Sequence, residues 1–367
     1  MPASRVCVIG GGPAGLAAAL EGARLGLDVD LFERNRIGEN IRCAEGFYDS
    51  LQILGKPPVG MRFKVNESIL KVNREYRVDC RRIALWMIDR GEWQRHLAGQ
   101  ARKAGARIVE NTRISADDLD ELQKSYDWVI DAGGAPSVTS IKYGFRYYYR
   151  RCGASTAQYV IKGDFSHLDK RLKFVLLPHY EGYYWIFPKG REIANVGVGS
   201  FLPGGEGVGW GEALWQRLDR FIAQEGIKGT ILGKHGGIIP IRVLEQLTYR
   251  NILLVGDAAG CASPLHGGGI DAALITGRLA ARWIAAGCRG DFSEEVRRLL
   301  QPKWEVERRL CKIWRGLDRE ALDDLAGLIA GEYGRVGFRG MLRRFPLLLR
   351  NFGTCRRFLA GLTRGQW

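Results

Sequence analysis

Apolar residues fall along this chain in three rhythms, and each predicts a different kind of element. Short apolar runs at residues 6–9 and 252–255, unbroken, and at 29–32, interrupted only by Asp30, end on glycine or an acid, the pattern of strands buried on both faces. GARIV at 105–109 and DWVIDAGG at 127–134 read as further strands of that layer, and Asp89-Arg90 opens an amphipathic helix running to about Lys103. The second rhythm is EGYYWIFPKGREIANVGVG, residues 181–199, which a strand of period two sorts into Tyr183, Trp185 and Phe187 on one face and Tyr184 and Ile186 on the other. Such a face either packs as ordinary sheet core or lines a cavity with rings. The third occupies the end of the chain, where Phe338, Leu342, Phe345, Leu349, Phe352, Cys355, Leu359 and Leu362 recur at steps of three or four. That spacing predicts helices with one apolar face, broken near Pro346 and Gly353. KYGFRYYYRR at 142–151 is expected to be a strand with basic edges, and GGEGVG at 204–209 a loop, since no strand precedes it.

Two glycine turns give the pattern chemical meaning. The first strand runs into Gly10, Gly12 and Gly15, then an alanine-rich helix, then a second strand ending at Glu33. Glycines let the backbone turn tightly against a pyrophosphate, the helix N-terminus offers unpaired N–H groups, and Glu33 can accept from the hydroxyls of an adenosine ribose. Far downstream, the strand at 252–255 is followed by Gly256-Asp257 and by Gly267-Gly268-Gly269, which opens a long helix at Ile270. FAD is long enough to need two anchor points, whereas NAD is usually held by one such unit. Asp257 suits the ribityl hydroxyls, and the helix start at Gly269 and Ile270 would aim its positive end at the flavin ring.

With these blocks in view, the chain resembles the geranylgeranyl reductase family, flavoproteins of the p-hydroxybenzoate hydroxylase-like fold. The resemblance rests on IGGGPAG with Glu33, RCAEGF at 42–47, YYWIFPKGREIANVGVG at 183–199, and VGDAAG with PLHGGGI at 255–270. It implies that Ala14, Glu33, Cys43, Ala44, Gly46, Arg90, Asp257, Gly269 and Ile270 touch FAD, and that the aromatic strand borders a cavity beside the flavin. It further implies an α/β fold in three parts. An FAD-binding Rossmann-type domain (1–55, 85–140 and 240–290) is interleaved with a mostly antiparallel substrate-binding sheet domain (56–84 and 141–239), and a helical region follows (291–367). The implied activity is saturation of C=C bonds in a prenyl chain on a lipid, quinone or tetrapyrrole. Cys43 is a candidate proton source, or else a small residue that fits under the ring. A flavin monooxygenase or halogenase of the same fold, or a prenyl-lipid carrier without turnover, are the alternative readings.

Composition narrows the partners. The chain has 367 residues, 46% of them hydrophobic, with no apolar run long enough to span a membrane, and its first residues lack the pattern of a secretory signal. A cytoplasmic protein is expected. Eight cysteines occur singly, without CxxC pairs or histidines at ligand spacing, so no metal site is expected. Many relatives that use NAD(P)H carry Ala-Asp-Gly where this chain has Ala132-Gly133-Gly134, and no second full dinucleotide fingerprint is present. The expected electron donor is therefore a low-potential protein such as an acidic ferredoxin or flavodoxin, steered by a net charge of +15. Arginines 335, 339, 343, 344, 350, 356, 357 and 364 load that charge onto the last segment, with no lysine or acid among them. A basic amphipathic segment fits either the surface of the inner membrane or packing on the protein itself, in preference to nucleic acid.

Overall fold

The computed structural model describes residues 3–201, 212–332 and 350–367. The 204–209 stretch and the tail from 335 to 349 lie outside the described residues.

The buried apolar runs pair as expected for a dinucleotide-binding layer. Strands β1 (Arg5–Ile9), β2 (Asp28–Phe32), β8 (Arg107–Val109), β9 (Trp128–Asp131), β15 (Thr248–Tyr249) and β16 (Ile252–Leu254) lie in the order β15-β16-β9-β1-β2-β8. All pair in parallel except β15 with β16. Helices α1 (Pro13–Arg24) and α7 (Ile270–Ala285) cross tightly on this sheet, because Gly277 has no side chain: a Cβ there would fall 2.1 Å from the Ala14 carbonyl oxygen. Helix α2 (Arg90–Lys103) starts where the sequence predicts, capped by Asp89, whose carboxylate accepts the Glu92 N–H at 2.9 Å.

A larger mixed sheet stands beside it. Strands β5 (Glu67–Lys71), β6 (Glu75–Asp79), β10 (Gly153–Lys162), β11 (Arg171–Leu176), β12 (Gly182–Pro188), β13 (Ile193–Ser200) and β14 (Thr230–Pro240) run in the order β14-β10-β13-β12-β11-β5-β6. The period of two in β12 sorts its rings as predicted. Tyr184 and Ile186 pack with Val196 and Val198 under helix α6 (Glu212–Gln224), where the Tyr184 and Phe221 rings stack 4.3 Å apart. Tyr183, Trp185 and Phe187 face the opposite way, toward Met87 and Leu172. A small third sheet, β3-β7-β4, joins the layers: β3 (Gly46–Tyr48) and β4 (Met61–Lys64) flank β7 (Leu85–Ile88).

The expected strand at 142–151 is not one. Two short helices, α4 (Val138–Lys142) and α5 (Tyr147–Cys152), occupy it. The run of tyrosines hid a helical spacing: Phe145, Tyr148 and Tyr149 turn inward at steps of three and one, while Tyr147 is exposed. The Tyr149 hydroxyl donates to the Ala258 carbonyl at 2.6 Å and that of Tyr148 to Val243 at 2.9 Å. These bonds anchor the segment to the first domain's turn and override the β-propensity of the rings.

Helices α3 (Leu119–Ser125), α8 (Phe292–Arg315), α9 (Arg319–Ile329) and α10 (Phe352–Arg364) complete the described elements. Helix α9 is clamped to the β5–β6 hairpin by Asp323. Its carboxylate accepts the N–H groups of Asn73 (2.9 Å) and Arg74 (3.0 Å), the Arg74 guanidinium (3.0 Å) and the Tyr76 hydroxyl (2.8 Å). Burial alone would raise this carboxyl, but the four donors outweigh it and hold it below its ordinary value. The stability it contributes is therefore present above the unfolded-state pKa of about 4 and is lost as pH falls through the lower folded value. Asp323→Asn is expected to cost about 2 kcal/mol at neutral pH, and its deficit should close in acid. Urea unfolding of both proteins across the acid range measures this.

The apolar stripe read along α10 is packed only in part: Cys355 and Leu362 are half-buried. Thr354, Phe358 and Gly361 turn toward the protein, with the Trp367 ring against Gly361 and its indole N–H donating to the Ser50 carbonyl at 2.8 Å. Phe352 and Leu359 point outward, 64% and 58% exposed.

Candidate functional site

Three glycines shape the turn from β1 into α1, and they do different work. Gly10 has φ +99°, and a Cβ there would meet the Ala132 carbonyl oxygen at 2.6 Å; a Cβ on Gly15 would lie 1.9 Å from the Gly10 carbonyl oxygen. Both are required by the protein's own backbone. At Gly12 the nearest contact would be an Arg90 guanidinium nitrogen at 3.9 Å, so the space before α1 is left open. The helix begins with Pro13 and Ala14, has no side-chain cap and carries no acid in its first turn. Its leading N–H groups thus suit an anion. Glu33, at the end of β2, accepts the Gly11 N–H at 2.6 Å and the Asn35 N–H at 2.9 Å, which fixes it beside the turn. From α2, Gln94 donates to the Gly11 carbonyl (3.1 Å) and accepts from Arg90 Nε (2.7 Å).

The second glycine turn closes the same cleft. Gly256 follows β16, and a Cβ there would touch Ala14 at 3.0 Å. The Asp257 side chain is open to solvent, yet it lies deep enough that desolvation raises its carboxyl, opposed by the charge of Arg90. A group both deep and wet stands on the wall of an internal cleft. Its Oδ1 is 3.4 Å from where a Gly269 side chain would begin. Gly269 caps α7, again without a side-chain bond, and Ile270 is the first helical residue. Before it, the Ser263 N–H donates to Gly268 O (2.8 Å) and the Gly267 N–H to Ser263 O (2.9 Å), closing the turn. Gly12, Arg90, Asp257 and Gly269 therefore form one line between two uncapped helix starts.

RCAEGF crosses from this line to the aromatic strand. Glu45 stands at φ +64°, is buried, and ties the two together: one carboxylate oxygen accepts the Arg90 N–H at 3.0 Å and the other pairs with Lys189 Nζ at 2.5 Å. Asn195 donates to the Ala44 carbonyl (2.9 Å), and Gln158 donates to the Cys43 carbonyl (3.3 Å) while accepting the Trp185 indole N–H (3.3 Å). The half-buried Cys43 sulfur accepts the Glu45 N–H at 3.2 Å. A Cβ on Gly46 would rest 3.4 Å from the Phe187 ring. Trp185 and Phe187 are closely packed, 6% and 8% exposed, whereas Tyr183 is half-open and its hydroxyl donates to the His266 carbonyl at 2.6 Å. The residues singled out from sequence thus converge. Lys189, Gln158 and Asn195, which grip the loop, were not singled out, although all three sit in or opposite the aromatic block.

An open glycine cradle, an acid at the second strand's end and a second uncapped helix start fit an extended dinucleotide, and the fold with this cleft defines an FAD-dependent oxidoreductase. Residues 4–141 match the family model of pyridine nucleotide-disulphide oxidoreductases, and residues 154–239 that of the geranylgeranyl reductase catalytic domain. A digeranylgeranylglycerophospholipid reductase of Methanoculleus marisnigri is 30% identical, over 94% of this chain and 96% of its own. One from Methanocella arvoryzae is 31% identical, over 79% and 80%. A geranylgeranyl bacteriochlorophyll reductase-like protein from Thermoplasma acidophilum shares the fold, with a TM-score of 0.76 and 22% identity across 96% of this chain and 100% of that one. The chain belongs to the geranylgeranyl reductase family.

Proposed function

We propose that this protein saturates isolated C=C bonds of a prenyl chain carried on a lipid, of the geranylgeranyl type. The observation that carries the reading is the tie between RCAEGF and the aromatic strand, made by the Glu45–Lys189 pair and the Gln158 and Asn195 side chains. It sets Cys43, Ala44 and Gly46 against a wall of rings, where an apolar chain finds burial without a polar handle. The names of the relatives support the same substrate class.

When bound, reduced FAD supplies the hydride and its electron pair to one alkene carbon. The chain's own residues do the rest. Arg90, Asp257 and the two helix starts hold the cofactor; the rings exclude water; Cys43 is the proposed donor of the proton that the other carbon takes. The donor of electrons is proposed to be an acidic low-potential protein, drawn by the +15 charge.

No helix among the described residues is long and apolar enough to cross a membrane. The outward Phe352 and Leu359, with Arg356 and Arg357 between them, support peripheral contact with an anionic leaflet. One experiment tests both readings. Dithionite-reduced protein is incubated with geranylgeranyl glycerophospholipid in vesicles and with a short soluble prenyl analogue, and products are weighed by mass spectrometry. Both substrates should gain two hydrogens per bond. A Phe352→Ser/Leu359→Ser variant should slow only the vesicle arm. Unchanged masses in both arms defeat the reductase reading, and equal rates in the variant defeat the membrane one.

A further inference from the structure

A buried ionic cluster lies directly behind the second glycine turn. Lys303 and Glu307, one turn apart on α8, are each 1% exposed at the side chain. Lys303 Nζ is 3.5 Å from Glu307 Oε1 and 3.8 Å from Asp271 Oδ2, in the first turn of α7. Asp271 also accepts from the Ser50 hydroxyl. His266 Nε2 stands 3.6 Å from the same Glu307 oxygen, and its ring meets that of Tyr48 edge-on at 5.8 Å. The Tyr48 hydroxyl, His266 Nε2 and both Glu307 oxygens are buried and make no hydrogen bond to another protein group. Four such atoms in one place are costly unless they serve a purpose.

The charges here do not cancel. His266 Nδ1 accepts the Gly268 N–H at 3.1 Å, so the neutral ring carries its proton on Nε2, facing Glu307. Burial pushes the Tyr48 and Tyr180 hydroxyls and the Cys261 thiol up, and the Cys311 thiol up to about 11, so these neighbours stay uncharged. Of the carboxylates nearby, Asp49 beside Tyr48 accepts the N–H groups of Ile53, Leu54 and Gly55, and Asp257 beside Cys261 faces Arg90. Burial would also raise Glu307, but the Lys303 ammonium beside it outweighs burial and holds the carboxyl below its ordinary value. Arg315, over the Tyr180 ring, is exposed and screened by water. Two carboxylates against one ammonium leave one uncompensated negative charge. It sits beside the start of α7, the element to which the flavin site assigns the ring.

We infer that the Glu307–His266 pair is a redox-linked proton site: when bound FAD is reduced, the pair takes up one proton from solvent and stores it for the alkene. The inference rests on the proposed function for the proton's destination, but its uptake does not require a prenyl substrate. The balance closes. From an external one-electron donor, FAD takes two electrons and one proton, and the pair takes a second proton. On turnover the hydride goes to one alkene carbon and a proton to the other, the stored proton replaces the one delivered, and both sites return to their oxidised state. The driving force is electrostatic, since reduction would otherwise place a second buried negative charge beside the first. Glu307 is a positioning residue here, acting through the imidazole that shares its turn with Gly267–Gly269.

The test is the pH slope of the midpoint potential of bound FAD around neutral pH, read by spectroelectrochemistry on the full-length protein without prenyl substrate. Two protons per two electrons in the parent and one in Glu307→Gln would halve the slope. His266→Gln, which keeps an acceptor for Gly268, should halve it likewise and decides the matter if the first variant does not fold. A parent slope of one proton per two electrons, or variant slopes equal to the parent's, overturns the inference. Neither result bears on whether a prenyl chain is the substrate, which the mass measurement above decides separately.

Discussion

A Gly12→Glu variant is expected to fold like the parent and to purify colourless. A side chain at Gly12 meets nothing closer than the Arg90 guanidinium, so the protein's packing does not resist it. The new carboxylate would stand before α1, whose first turn has neither cap nor acid, and there it adds a few tenths of a kcal/mol to the helix. The same carboxylate occupies the place proposed for the pyrophosphate and repels it. Losing those N–H contacts and gaining a like charge should weaken FAD binding by about 10^3-fold or more, roughly 4 kcal/mol. Gly15→Val is the contrasting case: its Cβ alone would lie 1.9 Å from the Gly10 carbonyl oxygen, so this variant should lose the fold itself. Visible absorbance after FAD addition, set beside thermal unfolding, separates the two outcomes. A Gly12→Glu protein that remains yellow would place the cofactor elsewhere.

What could be read in the chain was whatever rests on local periodicity. Both glycine turns, the start of α2 at Asp89-Arg90 and the two faces of β12 follow from spacing alone, because each is enforced by backbone sterics or by one sheet's pleat. The 142–151 segment misled because three adjacent tyrosines carry strand propensity in any window, and their helical form depends on hydrogen bonds to Val243 and Ala258 about a hundred residues away. The tail was half legible. Its 3.6-residue period predicts the α10 helix, but not that Gly361 and Trp367 form the inward face. The ionic cluster left one unused signal: Lys303 and Glu307 fall at positions that continue the buried row of Val296 and Leu300 on α8. Charges placed on an apolar stripe mark either a defect or a site.

Removing the carboxylate of Glu45 is expected to be the most damaging single change in the loop that joins the two halves of the site. The side chain is 5% exposed and Lys189 21%, so the pair is largely desolvated, and Glu45→Ala leaves an ammonium and the leading N–H of α2 without their acceptor. Breaking a buried pair by deleting one partner costs about 3–5 kcal/mol, and the residual access of Lys189 to water places this case near 3. For a chain of 367 residues that corresponds to a fall in Tm of roughly 4 °C. The strain of a non-glycine residue at φ +64° adds to the loop's tendency to move once its anchors are gone. Cys43 and Ala44 would then be held by Gln158, Asn195 and the Ile88 N–H bond to the carbonyl of residue 45, so the loop should drift from the aromatic strand and turnover should fall further than FAD content. Lys189→Met in the Glu45→Ala background removes the stranded charge and should restore about half of the lost stability, which a double-mutant cycle measures. If Glu45→Ala unfolds within about 1 kcal/mol of the parent, the pair is a surface contact by energy and the loop is positioned by its backbone contacts.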